Sequence, residues 1–202
     1  MSNNFVTIDR ASAIMGENFY EPGRCNGILP YGCGYTEKEK MAFCAVPFSE
    51  LTLGVCRESH VLFVGFPMSI IQMQLVQPQR FSDSWYADDA DPHSEFAWKE
   101  KTEKRWYLMR RDGLPYSSPE ELSEFLVNNR EKVSLPCEGA YSVLMGAYAR
   151  PPHIMSYCKD SREKWCSMLF ACGPGIMWFG GHSGPERGNL IFTERKPDVV
   201  MS

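Results

Sequence analysis

The sequence predicts an α+β protein, with a helical N-terminal part packed on a mixed, largely antiparallel sheet. Three observations carry this. Short apolar-periodic stretches with capping residues fill the first sixty residues. A β-branched and aromatic run begins at Val61. After Pro152, four short apolar runs follow one another, separated by polar or glycine turns. The length of 202 residues suits one domain over 1–202, mainly helical over 1–59, mixed over 60–149 and β-rich over 150–202.

In residues 7–16, Ile8, Ala11, Ile14 and Met15 fall at helical spacing and Gly16 stops the helix. Residues 20–35 carry Pro22, Gly23, Gly27, Pro30, Gly32 and Gly34 and read as a loop. Thr36 caps a helix from Glu37 to Ala45, which Pro47 ends, and Ser49 caps a short one from Glu50 to Glu58. VLFVGF reads as a buried strand, and residues 68–76, alternating around Ile71, Met73 and Leu75, as a second. Phe81 to Phe96 is a polar loop. Residues 99–111 read as an exposed strand with a charged face. Ser118, Pro119 and Glu121 start a helix with a capping box, and Leu122, Phe125 and Leu126 form its stripe. Glu138 to Ala149 is a further helix. The last runs, IMSYC, CSMLFAC, GIMWF and NLIFTE, are strands. Linker-like points lie at Asp112–Pro119 and Arg150–His153.

Composition excludes several classes. Hydrophobic residues at 44% and charged residues at 23% are those of a soluble globular protein. The net charge of −4 argues against a basic nucleic-acid binder. A chain of this size buries roughly 70% of its unfolded surface and folds without a metal or disulfide. The start MSNNFVTIDR lacks the basic and apolar regions of a secretory signal, so a cytoplasmic protein is expected. Val61–Ile71 is too short to span a bilayer and is broken by Gly65 and Pro67, so no membrane contact is expected.

The eight cysteines, Cys25, Cys33, Cys44, Cys56, Cys137, Cys158, Cys166 and Cys172, contain no CxxC pair. They read as reduced thiols, several buried; a mixed site of His153, Cys158 and Cys166 is the metal alternative. No metal and no cofactor are expected. The acidic stretch with Asp83, Asp88, Asp89, Asp91 and Glu95 is a solvated loop, because Pro92 stands where a calcium ligand belongs. Trp98, Trp106 and Tyr107 lie among the basic residues 99–111, but the neighbouring acidic loop cancels that charge, so no nucleic-acid partner is expected. No GxSxG, HExxH or Walker A motif is present.

The most distinctive stretch is Gly173–Lys196, with six glycines between 173 and 188. Glycine lets backbone approach a ligand or take left-handed turns. Trp178 supplies a stacking face, and His182, Glu186, Arg187 and Asn189 supply polar contacts. These five are the candidate ligand-binding residues; no catalytic residue is assigned.

Several segments resemble an uncharacterised bacterial protein family. They are the opening NNFVTIDRASAIMGENFY, PFSE-x-x-L-x-x-C from Pro47 to Cys56, HVLFVGFPMSI, the Trp85–Tyr86 pair, W-x-L-x-R from Trp106 to Arg110, and EGAYSVLMGAYARP. The ending GIMWFGGHSGPERGNLIFTERK resembles the last hairpin of the formylglycine-generating-enzyme-like branch of the C-type lectin fold. The resemblance implies a C-type-lectin-like C-terminal third. Arg195 would take the closing arginine position, with Trp178, His182 and Arg187 in or beside an exposed ligand loop. The branch's Gly-Gly-Ser-Trp is replaced by Gly180-Gly181-His182-Ser183, and its paired catalytic cysteines do not map onto Cys158, Cys166 or Cys172, so oxidase activity is not implied.

The expected function is a non-enzymatic ligand-binding or protein-interaction module, with a protein, peptide or glycan partner and an oligomer possible. The alternatives are a thiol-dependent enzyme with Cys158 or Cys166 near His153 or His182, and a structural or assembly protein.

Overall fold

A computed structural model describes residues 5–24, 34–81, 95–146, 154–170, 176–179 and 184–198. It shows the α+β class. Strand β1 (Val6–Thr7) pairs antiparallel with β2 (Ala45–Val46). Between them lie α1 (Ile8–Met15) and α2 (Glu37–Met41). Thr7 Oγ1 accepts the Arg10 N–H at 3.3 Å to start α1, and Gly16, at φ +57°, ends it. Thr36 and Glu39 form a reciprocal capping box at α2, which stops at Met41 rather than running to Ala45. Helix α3 (Glu50–Cys56) starts at Ser49, whose hydroxyl accepts the Thr52 N–H.

Strand β3 (His60–Val64) is fully buried, as its apolar run requires. The second expected strand, over 68–76, is instead α4 (Ile70–Val76). Ser69 Oγ accepts the Gln72 N–H while Gln72 Oε1 accepts the Ser69 N–H, which nucleates a helix. Ile70, Ile71 and Met73 are buried, whereas Leu75 is 74% exposed, so the alternation does not define a face.

After α5 (Glu95–Lys99) comes β4 (Trp106–Arg110), which is buried from Trp106 to Met109, not exposed. Aromatic rings pack against it. Trp106 packs on Phe19 with ring centroids 5.8 Å apart, and Tyr107 stacks on Phe63 at 5.5 Å. A Cβ at Gly65 would lie 2.4 Å from Tyr107 Cε2 and 2.5 Å from the Glu103 carbonyl, so only glycine fits there.

Next come β5 (Leu114–Pro115), α6 (Pro119–Asn128), β6 (Glu131–Val133) and α7 (Pro136–Leu144). Ser118 caps α6 through the Glu121 N–H, but the Glu121 carboxylate bonds Ser117 Oγ, so the expected box does not close. Helix α7 starts at Pro136, two residues before the expected Glu138, because proline suits the first helical position. It ends at Leu144; residues 147–149 of the expected helix lie outside the described residues.

The last strands are β7 (Ile154–Lys159), β8 (Trp165–Phe170), β9 (Ile176–Phe179), β10 (Leu190–Ile191) and β11 (Thr193–Arg195). Besides the two-stranded β1-β2 sheet, the described strands form two larger sheets, in the orders β5-β10-β7-β8-β9 and β3-β4-β11-β6. β10 runs parallel to β7; the other pairings between strands of these sheets are antiparallel among the described residues. Phe192 joins the sheets, donating its N–H to the Tyr157 carbonyl while its own carbonyl accepts the Ser134 N–H. Among the described residues, no helix is long and apolar enough to cross a membrane.

Candidate binding surface

The described end of the glycine-rich stretch forms a locked turn. Asn189 Oδ1 accepts the Glu186 N–H at 2.6 Å, and the Glu186 carbonyl accepts the Asn189 N–H at 3.0 Å. Gly188, at φ +92°, makes the left-handed step. The Gly188 N–H reaches the Tyr116 carbonyl at 2.8 Å, and the Tyr116 N–H reaches the Asn189 carbonyl at 2.8 Å. The turn is thus tied on both sides to the segment that follows β5.

Aromatic rings support it. A Cβ on Gly184 would meet Trp165 Cδ1 at 3.3 Å. Trp165 stands edge-on to Tyr116 and to Tyr157, with centroids 6.4 Å apart in each pair. Burial, with the negative charge of Glu186 nearby, raises the Tyr157 hydroxyl pKa. Glu186 and Arg187 are exposed at the tip, and neither forms an ion pair with another described residue.

The five candidate residues do not share one turn. Asn189 is half-buried and its carboxamide is used to hold the backbone. Trp178 lies on β9, the far edge strand of its sheet. Register puts Leu190, Ser156, Met168 and Trp178 in one row, with β7 and β8 between the two ends. At the usual strand spacing, the Trp178 and Leu190 backbones are roughly 14 Å apart. His182 lies outside the described residues. Arg195 sits on β11 opposite Glu131, inside the second sheet, and its buried Nε has no hydrogen-bond partner.

The sequence reading missed two charge clusters on opposite faces of the four-stranded sheet. On one face, Glu131 Oε1 accepts from Arg110 Nη2 at 2.6 Å and faces His60 Nε2 at 3.2 Å, while Oε2 accepts from Thr193 Oγ1 at 2.6 Å. Burial opposes the Glu131 charge, but these three partners outweigh it and hold the carboxyl down to about 2. Burial lowers the His60 pKa against the pull of Glu131. Ser59 Oγ lies 2.8 Å from His60 Nδ1, completing a Ser59–His60–Glu131 file. The Ser59 N–H is given to the Cys56 carbonyl, so that amide cannot stabilise an oxyanion. This file is a satisfied structural network.

On the other face, Glu194 of β11 and Glu138 of α7 are 1% and 2% exposed. Arg105 Nη2 bonds both, at 2.8 and 2.9 Å, and Lys132 Nζ reaches Glu194 at 3.1 Å. Burial, then the charge of Glu194, pushes the Glu138 carboxyl up to about 7. The available sequence signal was weak: charged residues within or beside short strands.

The thiols of the enzymatic alternative are deeply placed. Cys158 and Cys166 face each other across β7 and β8. Burial pushes Cys166 up to about 12, and Cys158 and Cys137 also well above an ordinary thiol. Thiols in this state stay protonated at neutral pH. His153 lies outside the described residues. Among the described residues, no group of three His, Cys, Asp or Glu is placed to hold a metal ion.

Compared with protein-family models, curated proteins and solved structures, the chain finds no match in any of the three.

Proposed function

We propose that this chain is a non-enzymatic interaction module and that the Glu186–Asn189 turn forms part of its recognition surface. The observation that carries this reading is a contrast. The turn's backbone is held at Glu186, Gly188 and Asn189, while its two exposed side chains, one acidic and one basic, have no ion-pair partner within the described chain. A locked backbone removes the loop-ordering part of the entropy cost of binding and leaves only that of the two side chains. The partner is a protein or peptide segment presenting opposite charges at matching spacing. The resemblance of the C-terminal third to the lectin-fold branch supports the same reading, since that branch places ligand contacts in this loop.

A peptide and glycan array probed with wild type, Arg187→Ala and Glu186→Gln tests it. Peptide signals lost in both variants support the module. Signals unchanged in both, or confined to glycans, overturn the peptide reading. One observation favours the assembly alternative: Leu51 and Val55, one helical turn apart on α3, are 78% and 70% exposed. Sedimentation showing a mass that rises with concentration, and falls in Leu51→Glu, would shift weight to it.

A further inference from the structure

The open edge of β6 offers a second surface, independent of the turn. β6 ends the order β3-β4-β11-β6, so one side of it has no strand neighbour among the described residues. The ladder with β11 sets which groups face out. Ser134 N–H donates to the Phe192 carbonyl and Lys196 N–H to the Arg130 carbonyl, and the register pairs Lys132 with Glu194 between them. Antiparallel pairing alternates, so the main-chain groups of Glu131 and Val133 point away from β11. Neither residue's N–H or carbonyl has a hydrogen-bond partner on that side among the described residues.

A groove of about 380 Å³ runs along this edge, between α6 and the turn joining β7 to β8. Leu126, Val127 and Val133 give it an apolar wall; of its three lysines, Lys132 is held by Glu194 and Lys159 by Glu163, which leaves Lys196 as the positive charge with no ion partner among the described residues. Val127 is 74% exposed. The acidic groups nearby are engaged. Glu131 is held by Arg110, Asp160 by Arg162 at 3.1 Å, and Glu163 by Lys159 at 3.1 Å. The Ser134 carbonyl accepts the Lys159 N–H, which closes one end of the groove.

We propose that this edge receives an extended acidic peptide segment as an added strand beside β6. Main-chain bonds to Glu131 and Val133 supply the pairing. Alternate side chains of the segment meet the Leu126–Val127–Val133 wall, and a carboxylate of the segment meets Lys196. The three residues of β6 span roughly 10 Å, so a paired stretch of about three residues covers this edge.

The test uses the full chain and a fluorescein-labelled peptide of alternating glutamate and valine, seven residues long. Expected are saturable anisotropy and slowed hydrogen exchange at the Glu131 and Val133 amides. Val133→Pro removes the outward N–H together with the valine side chain of the wall, while the β6–β11 ladder bonds stay in place; it should weaken binding at least tenfold, and Val133→Ala, which keeps the N–H, should weaken it less. Lys196→Glu should also weaken binding at least tenfold. A probe N-methylated at its alternate amides repeats the test from the ligand side, even should Val133→Pro fail to fold. The proposal is overturned by no binding to wild type, by equal binding of a lysine–valine peptide, by equal binding of the N-methylated probe, or by pairing of this edge with a second copy. In the first case the lysines act only as guards of an exposed edge.

Discussion

Asn189 Oδ1 accepts the Glu186 N–H at 2.6 Å, so one side chain ties together the two ends of the turn that presents Arg187. Asn189→Ala removes that acceptor. Destabilisation of roughly 1 kcal/mol is expected, with faster hydrogen exchange at the Glu186 amide. Gly188→Ala, forced to φ +92°, should cost about 1–2 kcal/mol. Urea denaturation measures both, and unchanged midpoints would show that the turn is not locked.

Two glycines should respond to alanine with opposite sign. At Gly65 the new methyl meets Tyr107 and the Glu103 carbonyl, and overpacking of this kind costs roughly 1–3 kcal/mol. At Gly54, within α3, a Cβ finds nothing within 4 Å, and alanine should stabilise by about 0.5–1 kcal/mol. Equal effects at the two sites would contradict the packing around Tyr107.

Stability should depend on pH through Glu138. Its folded carboxyl titrates at about 7, above the usual carboxylate value. The folded state therefore holds a proton that the unfolded state has lost. The associated stability is full below the unfolded pKa and is lost as pH rises toward 7. Glu138→Gln should remove this slope, so the variant gains on wild type between pH 5 and 8 by about one pH unit's worth of linkage or more, on the order of 1 kcal/mol. Parallel curves for the two proteins would refute it.

Glu131 works in the reverse sense. Its carboxyl is held down to about 2, so its contribution is present above the unfolded carboxylate pKa and is lost as acid protonates it. Glu131→Gln leaves Arg110 and His60 facing an uncharged partner, and truncating a buried pair costs about 3–5 kcal/mol. That penalty at pH 7 should shrink toward pH 2. Acid titration followed by circular dichroism checks the convergence.

Alkylation ranks the thiols. Cys44 is exposed, whereas Cys56, Cys137, Cys158 and Cys166 are buried. Timed iodoacetamide labelling with peptide mass spectrometry should find Cys44 well ahead of those four. Fast, stoichiometric labelling of Cys158 or Cys166 in the native protein would revive the thiol-enzyme reading.

The start of α6 was legible because Ser118 and Pro119 are local signals, and β7, β8 and β10 because their apolar runs are short and bounded by turns. The Ser69-x-x-Gln72 box of α4 is a local helix signal that a reading from the alternation of Ile71, Met73 and Leu75 alone passes over. β6 was hidden because Glu-Lys-Val has no apolar pattern; its place comes from partners far along the chain. The same holds for Glu131, Glu138 and Glu194, whose burial depends on Arg105, Arg110 and Lys132 arriving from other elements. Gly188 signalled the turn, and Glu186 and Arg187 do lie on it. The separation of Trp178 from that turn was not legible, because it follows from the parallel pairing of β10 with β7.

The most direct measurement is a thermal-shift titration of wild type and Arg187→Ala with the strongest peptide binder from the array. Binding to the folded state alone raises the midpoint by mass action. A concentration-dependent rise in wild type that is absent in Arg187→Ala, with equal midpoints for the two free proteins, is the predicted result. An equal rise in both would place recognition elsewhere on the chain and contradict the role assigned to the Glu186–Asn189 turn.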